Sequence, residues 1–419
     1  MVTRHVDSSV GAKRSVVFVV SGTRGDVQPC VVAACELRRQ GVSVRIAAPT
    51  EYRAMIESAA VPFAALPENP SAFLAAHRTI FDGAFSPNAL RNSVRYLRLT
   101  SLWTTRMLDA AATACADAHV VVGGLASLWA ADVADACGAR VLWMLLQPLT
   151  PTRAFAASIW PWRAPRAMSY RFINAALGSS LRGMVNRWRR SRGLPPLGRT
   201  FGALARIHAQ EHAVMNAFSA SMVPAPDDWP VTAHPLGVCL SEDVPALDAA
   251  LHAWLGSGRD VMYIGAGAGS SAPMMRALPW LHEALLRHRM RAVVNLPRVP
   301  DAFRERMFAV RDVPHAALFP LMRCVVHHGG AGTTAEAARA GVPSVVAPVF
   351  ADQHFWAGCA HAVGAAARPL SGHAGRSEWL ECVDAALHDA RLRRGAHDCA
   401  VRMRDEHGAR RVADRVMAA

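Results

Sequence analysis

The chain has 419 residues, 52% of them hydrophobic and 19% charged, with nine cysteines and a formal net charge of +14. That length predicts two or three domains with sizeable cores, and the composition excludes a disordered chain, a collagen and a small disulfide scaffold. No apolar run reaches the roughly 18 residues that a transmembrane helix needs. The cysteines show no CxxC pair and no zinc-type Cys/His spacing, so they read as free thiols of a cytoplasmic protein. Lys13 is the only lysine, and the arginines are spread along the whole length. Nucleic-acid binders cluster their basic residues, so this pattern argues against such a partner. It leaves a mild attraction to anionic substrates or to a membrane surface.

In chain order, Lys13 and Arg14 precede an apolar stretch that Thr23, Arg24 and Asp26 cut short, which reads as a buried strand, not a signal peptide. Ser15 to Ser21 is β-branched and apolar, as a strand buried in a parallel sheet must be. GTRGDVQP follows, with Pro29 expected at the first position of a helix that Gly41 closes. A second strand over Val42 to Ala48 completes a βαβ unit. Further strands are expected at His119 to Val122 and Arg140 to Leu146, around a helix from Leu128 to Ala136. From Gln147 to Thr200 the alternation fades into a stretch with Trp160, Trp162, Tyr170 and Trp188 among many arginines. It is read either as helix packing and solvated surface or as an amphipathic rim meeting a lipid interface.

Proline-rich sequence around Val223 to Pro235 marks a linker. A second alternating series then has strands at Val261 to Ile264, Arg291 to Asn295, Cys324 to His327 and Ser344 to Ala347, followed by a charged helical tail. The division is an α/β domain over 1–228, a linker over 229–240, a second doubly wound α/β domain over 241–390, and a tail over 391–419.

The densest signal is CVVHHGGAGTTAEAARAGVPSVVAPVFADQ, from Cys324 to Gln353. A strand ends at His327 and His328, and Gly329, Gly330 and Gly332 permit tight turns before a helix expected to start near Thr333. A helix start offers unpaired N–H groups and a positive dipole end, an anion site suited to a diphosphate. Thr333 and Thr334 add hydroxyls, and His328 can donate to an oxyanion. Adjacent strand residues face opposite ways, so His327 is read as structural and a His327/His328 metal pair is disfavoured. Asp352 and Gln353 fall on a loop at the same sheet edge, where a carboxylate beside a carboxamide suits sugar hydroxyls.

His328, Gly330, Gly332, Thr333, Glu336, Asp352 and Gln353 match in order and spacing the signature of the UDP-glycosyltransferase superfamily. HHGGAGTT and GTRGDVQP resemble the branch that includes sterol 3-β-glucosyltransferases and the glycosyltransferases of glycopeptide antibiotics. VPHAALFP, from Val313 to Pro320, and the glycine loop after Ile264 are similar to two further family segments. The resemblance implies a GT-B fold, two facing Rossmann-like domains with the active site between them, and a last helix crossing back to the first domain. It implies Asp26 as general base and His328 beside the leaving group. Gly330, Gly332, Thr333 and Thr334 would attend the diphosphate, Glu336 the ribose, and Asp352 with Gln353 the transferred sugar. Val313 would lie along the nucleobase through its backbone. Donor contact extends to Thr23, Arg24 and Gly25, to Gly267 and Ser270, and to His315. Relatives commonly carry a serine at the position of Ala268, so a phosphate-contacting hydroxyl is either lost there or supplied by Ser270. The co-substrate is then UDP-glucose or a dTDP-sugar, the partner a hydrophobic hydroxyl acceptor, and no metal or other cofactor is called for. Two other classes compete: a silent sugar-nucleotide-binding partner, and a dinucleotide oxidoreductase. Against the latter, neither glycine loop reads GxGxxG. A structural reading of Asp26, as a helix cap or a partner of Arg24, stands beside the catalytic one.

Overall fold

Every residue of Ser15–Val19 (β1) is buried, because this strand has neighbours on both edges and helices on both faces. The computed structural model describes residues 14–67, 69, 72–73, 76, 105–159, 166–198, 203–208, 214–256, 258, 260–267, 271–349 and 351–419. Ser270 and Ala268 lie outside the described residues, as do Trp160 and Trp162.

The first sheet adds Ser43–Pro49 (β2), Phe63–Leu66 (β3), Val120–Gly123 (β4), Arg140–Leu145 (β5) and Val214–Asn216 (β6), in the order β3-β2-β1-β4-β5-β6. The second contains Val261–Gly265 (β7), Arg291–Asn295 (β8), Met307–Ala309 (β9), Cys324–His327 (β10) and Ser344–Val346 (β11), in the order β11-β10-β7-β8-β9. All pairings are parallel. Five strands of each sheet follow one plan, and its switch points fall between β1 and β4 and between β7 and β10. Such switch points open at the carboxyl ends of the strands. The fold is GT-B, as the resemblance implied.

Helix α1, Arg24–Arg39, starts earlier than expected and carries Pro29 inside it. Thr23 and Asp26 fix that start through their own hydrogen bonds, described below, so proline falls in the second turn. Gly41 has φ +83°, the left-handed turn that ends the helix region. Ala130–Cys137 (α2) is close to its expected span. Arg166–Ser191 (α3) is a long helix in the stretch that showed no clear alternation. Its buried Arg189 bonds Asp132 at 2.7 Å and Asp135 at 2.6 Å on α2. In the second domain follow Ala272–Arg287 (α4), Ala331–Ala340 (α5), Gln353–Ala362 (α6) and Arg376–His388 (α7).

The tail divides. Ala390–Met403 (α8) stays with the second domain, where Cys399 and Met403 pack beside Trp356 and Val346. Only Gly408–Met417 (α9) returns to the first domain, where Val412, Ala413 and Val416 join its core. Between α8 and α9, the chain passes against the linker so closely that a Cβ on Gly408 would lie 2.5 Å from the Gly237 carbonyl carbon. Buried Glu406 secures the crossing, accepting from the Ser219 hydroxyl (2.7 Å) and from the Ser221 N–H (3.0 Å) and hydroxyl (2.8 Å).

Gly408→Ala is therefore expected to cost about 1–3 kcal/mol by overpacking against backbone. Gly358→Ala in α6, where a Cβ meets nothing within 4 Å, should gain up to about 1 kcal/mol of helix propensity. Unfolding midpoints of the two variants check the pair.

Candidate active site

Asp26 lies in the first turn of α1, at the switch point of the first sheet. Its Oδ2 accepts from the Thr23 N–H at 2.7 Å and from the Thr23 hydroxyl at 3.2 Å. Gly22 makes room for the carboxylate, since a Cβ there would fall 2.1 Å from that oxygen. Burial raises the Asp26 pKa above the ordinary aspartate value, against the Thr23 bonds that lower it. Arg24 does not pair with Asp26. Its guanidinium reaches across the cleft to Asp312 of the second domain at 2.7 Å. Both partners are about half exposed or more, so this contact is worth at most about 1 kcal/mol. Gly25, next to it, is exposed.

Opposite stands the turn after β10. Helix α5 starts at Ala331, two residues earlier than expected, with Gly330 as its N-cap. Its first intrahelical bond runs from the Thr334 N–H to the Gly330 carbonyl at 2.9 Å. The N–H groups of Ala331, Gly332 and Thr333 precede that bond and have no partner inside the helix. The His328 ring is wedged between two glycines. A Cβ on Gly267 would lie 2.3 Å from its Cε1, and one on Gly330 would lie 2.6 Å from its Nε2. Gly267 also has φ +63°, which favours glycine on backbone grounds alone. Burial lowers the His328 pKa to about 4, so the ring is neutral at pH 7. Its Nδ1 is buried without a hydrogen-bond partner. His327, fully buried in the sheet, accepts from the Gly329 N–H at 3.1 Å and fixes the turn, the structural part expected of it.

Several of the residues expected at the donor site are already engaged within the protein. The Thr334 hydroxyl donates to the Gly330 carbonyl at 2.9 Å, so its hydrogen serves the turn and not a phosphate. Thr333 is half-buried at the helix start. Glu336 is not a solvated charge: it is 8% exposed and ion-paired with Arg339 at 2.7 Å, and burial raises its pKa. Arg339 in turn donates to the Ser241 carbonyl at 2.8 Å, which anchors the pair. Asp352 precedes α6 and accepts from the Trp356 indole N–H at 2.8 Å. Its pKa is raised to about 6, chiefly by burial, with a further push from the negative charge of Asp26. The two carboxylates thus sense each other across the cleft. Gln353 is buried, and its Oε1 accepts from the Val349 N–H at 2.8 Å.

His315 stacks on Phe319 with centroids 4.3 Å apart and meets the Tyr263 hydroxyl at 3.2 Å. Burial, and then the Arg24 charge, bring its pKa down to about 4. The Val313 side chain is buried in the same cluster, leaving its backbone as the part that can meet a base. Sequence reasoning missed Asp312, Trp356 and Arg339. Trp356 and Arg339 each follow a motif carboxylate by one helical turn, the one signal available in advance.

Beside Asp26, a small cavity is lined by Cys30, Ser127, Met144 and Gln147. A groove of about 840 Å³ lies between Phe155, Met222 and Val223 of the first domain and the face of α6 that carries Phe355 and Cys359. Among the described residues, no group of three or more His, Cys, Asp or Glu could hold a metal.

The geometry sets a carboxylate at one helix start of the first domain across the cleft from a glycine-rich helix start of the second. Residues 16–133 match the glycosyltransferase family 28 N-terminal domain, and residues 278–418 match the erythromycin biosynthesis protein CIII-like C-terminal domain. The chain thus resembles a glycosyltransferase N-terminal domain in its first half and an erythromycin-biosynthesis-type C-terminal domain in its second. It is 27% identical over 409 residues to sterol 3-beta-glucosyltransferase UGT80A2 of Arabidopsis thaliana, covering 94% of this chain and 63% of that relative. It is 29% identical to O-mycaminosyltylonolide 6-deoxyallosyltransferase of Streptomyces fradiae, over 85% of each chain. The chain spans only about a quarter of a fungal sterol 3-beta-glucosyltransferase, that of Leptosphaeria maculans. Among solved structures, the glycotransferase of kitacinnamycin superposes with a TM-score of 0.69 at 17% identity, covering 97% of this chain and 99% of that one. Glycosyltransferase VinC in complex with dTDP gives 0.66 at 17% identity, covering 96% and 100%.

Gly267→Ala would push the His328 ring out of its slot toward water. Its titration, read from the ring-proton shifts, is expected to move up from about 4 toward the ordinary imidazole range.

Proposed function

We propose that the protein transfers a sugar from a nucleoside-diphosphate donor to a hydroxyl of a hydrophobic acceptor, with inversion at the anomeric carbon. The observation that carries this reading is that the turn bearing Asp26 lies across the cleft from the second domain, tied to it by the 2.7 Å contact of Arg24 with Asp312, with the charge of Asp26 felt at Asp352. In this reading the acceptor oxygen attacks the anomeric carbon as the bond to the diphosphate oxygen breaks on the opposite face. The hydroxyl proton passes to Asp26, and an α-linked donor gives a β-glycoside. General-base help of this kind is worth about 10²–10⁴-fold. The charge that grows on the departing diphosphate is met by the N–H groups at the start of α5 and by an N–H of His328. A neutral His328 can donate such a bond without first taking up a proton. Asp352 receives sugar hydroxyls, and Glu336, held by Arg339, receives the ribose. UDP-glucose and dTDP-sugars are the donors to try first. The apolar groove beside Phe155 and Phe355 suits a bulky acceptor, of the sterol or macrolide kind that the relatives' names describe.

The two Thr23 bonds to Asp26 favour one second reading, in which Asp26 only caps α1 and the chain binds sugar nucleotides without turnover. Nucleotide release with UDP-glucose or a dTDP-sugar, over a panel of sterol and macrolide acceptors, separates the two. Asp26→Asn is expected to keep donor affinity and lower turnover by about 10²–10⁴-fold; near-normal turnover would remove Asp26 as base. His328→Ala is expected to weaken nucleoside-diphosphate binding about 10- to 100-fold by calorimetry, the size of a hydrogen bond to a charged group.

A pH profile tests the carboxylates together. Both raised pKa values mean that the needed anions are lost as pH falls, so kcat/KM should decline below about pH 6, where Asp352 protonates. Asp352→Asn should lower the rate and remove that limb, leaving only the decline set by Asp26.

A further inference from the structure

We propose that Tyr263 is a positioning residue for nucleotide recognition. Its hydroxyl holds the His315 ring in one orientation and one tautomer, with the hydrogen on Nδ1, as a fixed donor to an oxygen of the bound nucleoside. Tyr263 stands near the carboxyl end of β7, and its side chain is buried. Gly265 follows on the same face of the strand, and a Cβ there would collide with the phenol oxygen. The hydroxyl therefore reaches the sheet edge because that position is glycine. At the edge it meets His315 Nε2 at 3.2 Å. The phenol oxygen is also hydrogen-bonded by the side chain of Asn295, the last residue of β8. The Asn295 amide donates as well to the Arg311 carbonyl at 3.4 Å, one residue before Asp312. Tyr263 thus joins two strands to the loop that carries Asp312, Val313 and His315.

The direction of each bond follows from where the hydrogens are. The Asn295 bond favours the phenolate form of Tyr263, as a donor to that oxygen does. Burial outweighs it and raises the Tyr263 pKa, so the phenol keeps its own hydrogen, which goes to His315 Nε2. Burial also brings the His315 pKa down to about 4, so the ring is neutral at pH 7. A neutral imidazole whose Nε2 accepts carries its hydrogen on Nδ1. Stacking alone does not settle this. The ring lies on Phe319 with the two planes 16° apart, which fixes its plane but leaves a half-turn that exchanges its edges. The Tyr263 hydroxyl removes that freedom. His315 is two residues after Val313, and the charge of His328 is felt at its ring. It therefore falls between the backbone read as following the base and the ring read as meeting the diphosphate. The nucleoside as ligand rests on the proposed function; the tautomer does not.

Nuclear magnetic resonance of the full chain with isotope-labelled histidine reads the ring nitrogens at neutral pH, without nucleotide. The His315 signals are identified by their loss in His315→Ala. A protonated Nδ1 and an unprotonated Nε2 are the expected result. Tyr263→Phe keeps the aromatic packing and removes the hydroxyl, so the His315 signals should shift toward the Nε2–H tautomer. UDP and dTDP affinities, measured by calorimetry, should fall about 3- to 10-fold in Tyr263→Phe, the size of one hydrogen bond. Added to His315→Ala, the same change should cost nothing further, because its effect passes through that ring. An Nε2-protonated ring in the wild type overturns the inference. So does an equal loss of affinity from Tyr263→Phe with and without His315, which marks a merely structural role. A wild type that binds neither nucleotide while showing the expected tautomer overturns the proposed function and the ligand named here, and upholds Tyr263 as the group that sets the ring.

Discussion

A parallel sheet delivers every loop that follows a strand to the same edge, and two such sheets with one strand order can be set edge to edge. That constraint organises this molecule. The turn after β1 carries Asp26, the turns after β7 and β10 carry Gly267 and His328, and the turn after β11 carries Asp352. Four separate stretches of chain thus converge without any of them being long or irregular. The right-handed crossovers that covered both sheets with helices also left the cleft lined by helix starts, where N–H groups lack internal partners. An anion finds on the second domain the opposite of what it finds on the first, where a carboxylate occupies the corresponding helix start.

Burial then sets the protonation states. His328 and His315 are kept neutral because low-dielectric surroundings disfavour the cation, and Asp26 and Asp352 are raised because the same surroundings disfavour the anion. Each group is held by a neighbour that also limits its motion: glycine walls for His328, Thr23 for Asp26, Trp356 for Asp352. A carboxylate with a raised pKa accepts a proton more readily than an exposed one, which fits the base role proposed for Asp26.

Much of this was legible in the sequence because the central strands are apolar, β-branched runs that lead into glycine-bearing turns. Arg291–Asn295 and Cys324–His327 fall where their patterns put them. The strands that escaped notice, Phe63–Leu66, Val214–Asn216 and Met307–Ala309, are all sheet edges, too short to carry a period of their own. The bounds of helix α3 escaped for another reason, although helix packing was one of the two readings of its stretch. Its buried side mixes Tyr170, Met184 and Trp188 with Arg189, whose partners lie on α2, and such a pairing has no local signature. The motif residues were legible as a group, yet their local bonds were not. Thr334 turns its hydroxyl to Gly330, and Glu336 is buried with Arg339, because a helix packed against a sheet has no solvated side at those positions.

The close passage at Gly237 and Gly408 bears on how the two halves can move. The chain joins them twice, once through the linker and once through the return to α9, and both strands of that junction are stitched together by Glu406. Two tethers fixed at one spot act as a single pivot, which permits the lobes to swing but resists sliding or independent twist. Because α9 is seated in the core beside α1, the aspartate-bearing turn moves as one piece with the pivot. Opening about that pivot would part Arg24 from Asp312, a solvent-exposed pair whose rupture costs little.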